Sequence, residues 1–506
     1  MSSPSLDRRA FLKLTAFATL AGVTGRLTGL PEFFIQNTSA LPNILVLVFD
    51  AMSARNMALY GYPRQNTPNL ERFARRATVF HQHHAAGNFT SPGVSSLLTG
   101  VYPWEHQAVQ QGSRVAPAFK DRSIFSLLPQ QYQSFAYTHN RYVYILLDQF
   151  RQHIDKLPLI AELADYSGMY SEDLFPADYY LADKAEMTLK LQKNIKVPAS
   201  LWLSLLDYWL TRLGNRSLAS KLRSSYPYGP VSCGQGFVWG HCFQLEKAID
   251  WTLEQALTSA APYFGYVHYF PPHQPYTPRA EFAELFIDDH YQPPDKPIYP
   301  DGKPADQAAI DRQRLLYDQF IAHVDAEFGR LYDSLERSGV LENTCLVITS
   351  DHGEIFERGL IGHGTSAMYE PLLHIPLLIA TPGQQERRDI YTPTSAVDLL
   401  PSILGLIGAG MPAGIDGLAL PLDGIPEPAK PRPVFALEAK ASPRGSSPHP
   451  STSVVIDWPY KLISYRGYAS MPDTPELYHL EQDPEELVDL YTPGNPIAED
   501  LLRRLP

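Results

Sequence analysis

Residues 43–50, NILVLVFD, form an unbroken apolar run closed by an acid. A run of that length without alternation predicts a strand buried on both faces, as in parallel sheets. Thr67 and Pro68 open the segment TPNLERFARRATVF, in which Leu70, Phe73 and Ala74 share one helical face. Threonine suits the N-cap and proline the first helical position, so a helix is expected there. PGVSSLLTG predicts a second helix, and SFAYTH and PYFGYVHYF predict buried strands. Leu315, Phe320, Val324, Phe328, Leu331 and Leu335 recur at helical spacing up to Gly339, after which TCLVITSD and HIPLLIAT read as strands. Strand and helix patterns alternate from residue 43 to about 410, which predicts a three-layer α/β/α sandwich.

Two regions break that rhythm. Residues 145–245 are aromatic-rich and helical in pattern, as in PASLWLSLLDYWLTRLG. They are expected to form an inserted helical cap that packs on the main domain, with a lipid or apolar substrate contact as the alternative. Beyond residue 410 the chain turns proline-rich and then gives PVFALEA, TSVVIDWPYKLISY and PELYHL. These predict a small C-terminal α+β subdomain over residues 411–506, behind a catalytic domain over 41–410. At the N-terminus, DRRAFLKLTAFATLAGVTG joins Arg8-Arg9 to a short apolar run. That order predicts a twin-arginine export signal over residues 1–40. The run is too short and too rich in Gly, Ala and Thr to span a bilayer well. The expected partner is the twin-arginine export machinery, and the expected location is periplasmic or extracellular.

Composition narrows the function. A formal charge of −12 without basic stripes argues against nucleic acid as a partner. Three cysteines without a CxxC pair exclude zinc-finger spacing. Cys345 lies in a predicted strand, and Cys233 and Cys242 read either as a disulfide or as two buried thiols.

The candidate chemistry lies at strand ends. Asp50 closes the first strand, and Asp351-His352 closes TCLVITS and opens SDHGE. Ligands of open α/β sheets bind outside the carboxyl ends of the strands. Two carboxylates and an imidazole there suit one divalent cation with open positions. Thr90, in NFTSPGVSSLLTG, stands where a helix begins. Alone it reads as an N-cap. Beside a cation it becomes a nucleophile, because the metal lowers the hydroxyl pKa and the helix N-terminus favours negative charge.

These segments together resemble the sulfatase family of the alkaline phosphatase superfamily. The likeness runs through NILVLVFDAMSARNMALYGYPRQNTPNLERFA, TSPGVSSLLTGVYP, PPHQPYTP, VITSDHGE, GHGTSAMYEPLLHIPLLI and ELYHLEQDPEELVDLY, in family order. It implies Asp50, Thr90, Asp351 and His352 as metal ligands, Thr90 also as nucleophile, and His273 and His363 as partners of the anionic group or leaving oxygen. His139, in YTHN, matches a further basic site residue. His268, His374 and the HQHH run at 81–84 match no site motif and are expected to be structural.

The resemblance implies Ca2+, while the ligand types also suit Mn2+, Mg2+ or Zn2+. Sulfatases of the family convert a Cys or Ser in C/S-x-P-x-R to formylglycine. Here the stretch is Thr90-Ser91-Pro92-Gly93-Val94, so no formylglycine is expected. Ala51 stands where a second acid often follows the first. A threonine nucleophile is similar to the family's phosphoryl-transfer relatives, including phosphodiesterases. The expected activity is hydrolysis of sulfate, phosphate or phosphonate esters on a small-molecule, glycan or lipid-derived substrate. The alternatives are an envelope phosphoethanolamine or phosphoglycerol transferase and a non-catalytic descendant that binds anionic glycans or lipids.

Overall fold

The computed structural model describes residues 41–165, 220–229, 231–232, 242–300, 306–422, 427, 431–443 and 448–506. The predicted export signal, most of the predicted helical insertion and Cys233 lie outside the described residues, so the pairing of Cys242 stays open.

Seven strands build the main sheet: β1 (Asn43–Phe49), β2 (Thr78–Phe80), β3 (Gln133–Thr138), β4 (Tyr263–Tyr269), β5 (Thr344–Thr349), β6 (Leu377–Ala380) and β7 (Arg388–Ile390), in the order β7-β2-β6-β5-β1-β4-β3. The four strands β5, β1, β4 and β3 run parallel, while β6 is antiparallel to both of its neighbours. β1 lies at the centre of the parallel group, which explains its unbroken apolar run: Ile44, Val46 and Val48 face one core, and Leu45, Leu47 and Phe49 face the other.

Helices α2 (Thr90–Thr99), α3 (Arg141–Gln149) and α6 (Leu399–Leu406) cover the first face through Leu98, Leu147 and Ile403. Helices α1 (Pro68–Ala74), α4 (Leu245–Thr258) and α5 (Gln307–Ser338) cover the second through Phe73, Ile249 and Phe328. The expected three-layer α/β/α sandwich is thereby realised. One local expectation fails at α1. Thr67 holds the N-cap position but makes no cap bond there; its hydroxyl accepts from Leu59 N–H. The first turn is instead capped by Asp325 on α5, which accepts from the N–H groups of Asn69 and Leu70 at 2.9 and 2.8 Å.

A second, antiparallel sheet is formed by β8 (Val434–Glu438), β9 (Ser451–Asp457), β10 (Tyr460–Arg466) and β11 (Glu476–His479), with α7 (Pro496–Arg504) against it. It is joined to the main layers by a buried ion cluster. Lys461 on β10 places Nζ 2.9 Å from Glu370 Oε1 and 2.8 Å from Glu486 Oε1. His84 donates from Nε2 to Glu370 at 3.3 Å, and His83 bonds Thr394. The histidines of the HQHH run thus serve packing between elements. His374 lies 4.0 Å from the same Glu370 carboxylate. Removing one partner of a buried pair leaves an uncompensated charge. Lys461→Met is therefore expected to cost about 3–5 kcal/mol in urea unfolding; a loss below about 1 kcal/mol would mean the cluster does not hold the sheet.

Candidate active site

The site forms where β1, β3, β4 and β5 end side by side. Asp50 follows β1, and Asp351-His352 follow β5 by two residues. Each acid uses one oxygen for orientation and leaves the other bare. Asp50 Oδ2 accepts from Asn140 Nδ2 at 2.5 Å and from His268 Nε2 at 3.1 Å. Asp351 Oδ1 accepts from the N–H groups of Ala51 and His352 at 3.2 and 3.0 Å. Asp50 Oδ1, Asp351 Oδ2 and His352 Nε2 are buried without a hydrogen-bond partner among the described residues.

Those three atoms face one another. His352 Nε2 lies 3.5 Å from Asp50 Oδ1 and 3.6 Å from Asp351 Oδ2, and all three fall within 4.8 Å. Such separations fit donors sharing one cation at about 2.0–2.5 Å. His352 donates Nδ1–H to Gly353 O at 2.9 Å, which fixes the tautomer with its Nε2 lone pair toward the acids. Electrostatics agree with the fit. Burial and the Asp50 charge hold the Asp351 carboxyl well above its usual range. For Asp50 burial acts upward, but His273 and the bond from His268 outweigh it and hold the group low. Burial keeps His352 neutral, the form a metal ligand needs. A second ligand-like group, Glu246, His323 and Glu327, is already neutralised: Arg279 Nη1 lies 2.7 and 2.6 Å from the two carboxylates.

Thr90 is the first residue inside α2, with Phe89 at the cap position and no side-chain cap bond. The threonine hydroxyl is therefore not spent on capping, contrary to the simplest reading of the motif. It is buried and takes a 3.4 Å contact from Asn140 Nδ2, the same amide nitrogen that holds Asp50. Asn140 is itself fixed by Thr138 Oγ1 and caps α3 through Tyr142 N–H. Gly93 lets the first turn of α2 lie on the Asp351 loop: a Cβ there would sit 2.2 Å from the Asp351 carbonyl oxygen.

His273 and His363 come together, their rings 4.7 Å apart, and His363 lies 4.4 Å from the His352 ring. His363 Nδ1 pairs with Glu354 Oε1 at 2.9 Å. Burial, then the nearby His273 and Lys440 charges, keep His363 well below its usual pKa, while burial pushes Glu354 up to about 8. The His139 ring packs against Tyr137 and Phe243, Nδ1 accepts from Phe270 N–H, and burial, with His268 nearby, lowers its pKa to about 3. The neighbouring Asn140 makes the Asp50 and Thr90 contacts. His268, expected to be structural, is a site residue bonded to Asp50. Its strand-end position in PYFGYVHYF was the available signal, since it pairs in register with Val48 of β1.

The sulfatase family model matches residues 42–208 and 216–409, more than half of the chain. The chain belongs to the sulfatase family. The C-terminal model of N-sulphoglucosamine sulphohydrolase matches residues 363–505, which include the second sheet. An uncharacterised sulfatase of Escherichia coli, YidJ, is 26% identical over 74% of this chain and 70% of its own length. The choline-sulfatase of Rhizobium meliloti is 23% identical over 92% and 85%. Among solved structures, the phosphonate monoester hydrolase of Agrobacterium radiobacter superposes with a TM-score of 0.64 at 18% identity, covering 91% of this chain and 94% of its own. A structure with D-glucosamine-2-N,6-O-disulfate bound as substrate gives 0.62 at 17% identity, covering 91% and 96%. This sulfatase-family chain is a sulfatase-like ester hydrolase on the alkaline phosphatase-type fold.

A cation entering the triad must displace the proton favoured on Asp351. Calorimetric titration of metal into chelated protein, in buffers of different ionisation enthalpy, should record proton release and an affinity that falls as pH is lowered. Binding without proton release at any pH would place the metal elsewhere.

Proposed function

We propose that this protein is a metal-dependent hydrolase that uses Thr90 to attack a sulfate, phosphate or phosphonate ester, and that it works outside the cytoplasm after twin-arginine export. The observation that carries the reading is the buried Thr90 hydroxyl, unused as a cap, joined through the Asn140 amide to the acid that lacks a partner for its second oxygen. Asp50, Asp351 and His352, with Thr90 beside them, would hold the cation.

When bound there, the cation would lower the pKa of the Thr90 hydroxyl and neutralise charge on a non-bridging ester oxygen. Thr90 loses its proton to solvent, and its Oγ attacks phosphorus or sulfur as the bond to the leaving oxygen breaks. Asn140 holds the Oγ in line with the strand ends. At neutral pH Glu354 keeps its proton and donates it to His363 Nδ1, which leaves a proton on Nε2 for the leaving oxygen. His273, half-buried beside His363, binds the anionic group. Water then cleaves the threonine ester and restores the hydroxyl.

The chemistry favours phosphorus. A threonine sulfate ester lacks the hemiacetal breakdown open to a formylglycine, whereas a phosphothreonine can be resolved by water. The relatives supply both substrate types as hypotheses for this chain, through a choline-sulfatase and phosphonate monoester hydrolases. Aryl sulfate, phosphate monoester, phosphodiester and phosphonate ester should therefore be assayed side by side with each divalent cation. Turnover of a phosphorus ester above that of sulfate is expected. Thr90→Ala should lower kcat by at least about a thousandfold, of the order seen when groups acting as a unit are removed, with metal content retained. Undiminished turnover in Thr90→Ala would overturn the proposal.

A further inference from the structure

The strand ends carry three buried acids, Asp50, Asp351 and Glu354. The family's signature arginine is replaced by Val94. An anionic ester placed on Thr90 would meet little permanent positive charge from α2. One cation does approach, and it comes from the other sheet. Lys440 follows β8, and its Nζ lies over the Phe89 ring, 4.7 Å from the centroid. Phe89 immediately precedes Thr90.

The backbone beneath Lys440 is tied to the same loop. Leu437 N–H donates to Ala86 O at 3.0 Å, and a Cβ on Gly87 would come within 3.2 Å of Leu437 O. Glu438, the acid nearest in sequence, does not take the ammonium. One of its oxygens accepts Lys440 N–H at 2.8 Å and the other accepts Tyr468 O–H at 2.5 Å. Among the described residues no carboxylate comes within 4 Å of Lys440 Nζ to form an ion pair. Yet the lysine is half-buried. Glu438 and Glu354 act on the half-buried ammonium only from beyond ion-pair distance, which leaves room for an anion in direct contact. Its location, over the ring of the residue that immediately precedes Thr90, puts it on the side of the site where α2 begins.

We propose that Lys440 is the substrate-binding cation of this site, supplied by the C-terminal sheet in place of the positive charge missing from α2, and that it contacts the charged oxygens of the ester held at Thr90. The inference rests on the hydrolase reading above and names the group that recognises the substrate's charge. A lysine over an aromatic ring keeps its ammonium poised without fixing it, since cation–π attraction is weaker than a charge-assisted hydrogen bond to an anion.

The test compares wild type with Lys440→Met and Lys440→Arg. Inorganic phosphate and sulfate are titrated calorimetrically into each protein, both chelated and loaded with the supporting cation. KM and kcat are then measured on the best ester. Lys440→Met should weaken phosphate binding and raise KM about tenfold or more, with metal stoichiometry and thermal midpoint unchanged. Lys440→Arg should recover most of both. If Lys440→Met fails to fold, Lys440→Gln, which keeps a polar end, serves in its place. Anion binding and KM within twofold of wild type in the neutral variants would overturn the role of Lys440 while leaving the hydrolase reading intact. Equal losses in Lys440→Met and Lys440→Arg would likewise assign the residue to structure rather than charge. Failure of the hydrolase reading itself would appear separately, as turnover that survives Thr90→Ala.

Discussion

Two carboxylates, Asp50 and Asp351, are buried at adjacent strand ends with one bare oxygen each turned toward the same point. Coulomb repulsion in such a setting is severe, and it is visible in the upward push on Asp351. A protein keeps such an arrangement stable by protonating one acid or by placing a cation between them. The imidazole of His352, turned neutral and lone-pair first into the same space by its bond to Gly353, suits the second solution. The rest of the site is arranged around this repulsion. Asn140 and His268 fix Asp50 from the β3 and β4 side, Ala51 fixes Asp351, and Gly93 lets α2 approach until no side chain fits between.

The same constraint separates fold from chemistry in this family member. The sandwich and the strand-end acids are retained, while Thr90 and Val94 replace the cysteine or serine and the arginine of the formylglycine signature. A hydroxyl nucleophile needs only a lowered pKa and a well-aimed leaving-group donor. On the proposed reading, a cation on the acids and the Glu354–His363 pair would supply these without the signature. What the substitutions remove is positive charge on α2. The loop after β8 brings Lys440 over the ring of Phe89, the residue before Thr90.

Much of this was legible in the sequence, for identifiable physical reasons. Central parallel strands are buried on both faces, so NILVLVF and TCLVIT announce themselves as unbroken apolar runs, and the acids closing them fall where such sheets bind ligands. Thr90, His273 and His363 stand out in the sequence because short motifs surround them. The misses arise where tertiary neighbours decide. Thr67 looked like the cap of α1, but Asp325 from a distant helix performs that task. His268 looked like a packed strand residue, because only the adjacency of β4 to β1 turns it onto Asp50. Asn140 follows His139 by one position, and the end of β3 turns its amide onto Asp50, which no local motif announces. Lys440 lies in the loop after β8, and no local pattern connects it to Phe89.

The central claim is that the Thr90 oxygen becomes covalently bonded to the substrate's phosphorus or sulfur. Its most direct test is acid quench of metal-loaded protein during turnover, followed by peptide mass spectrometry. The expected result is a phosphoryl or sulfuryl group on the peptide carrying Thr90, accumulating on the time scale of the first turnover and absent from chelated protein. A burst of product with no adduct on Thr90, or with the group on another residue, would contradict it.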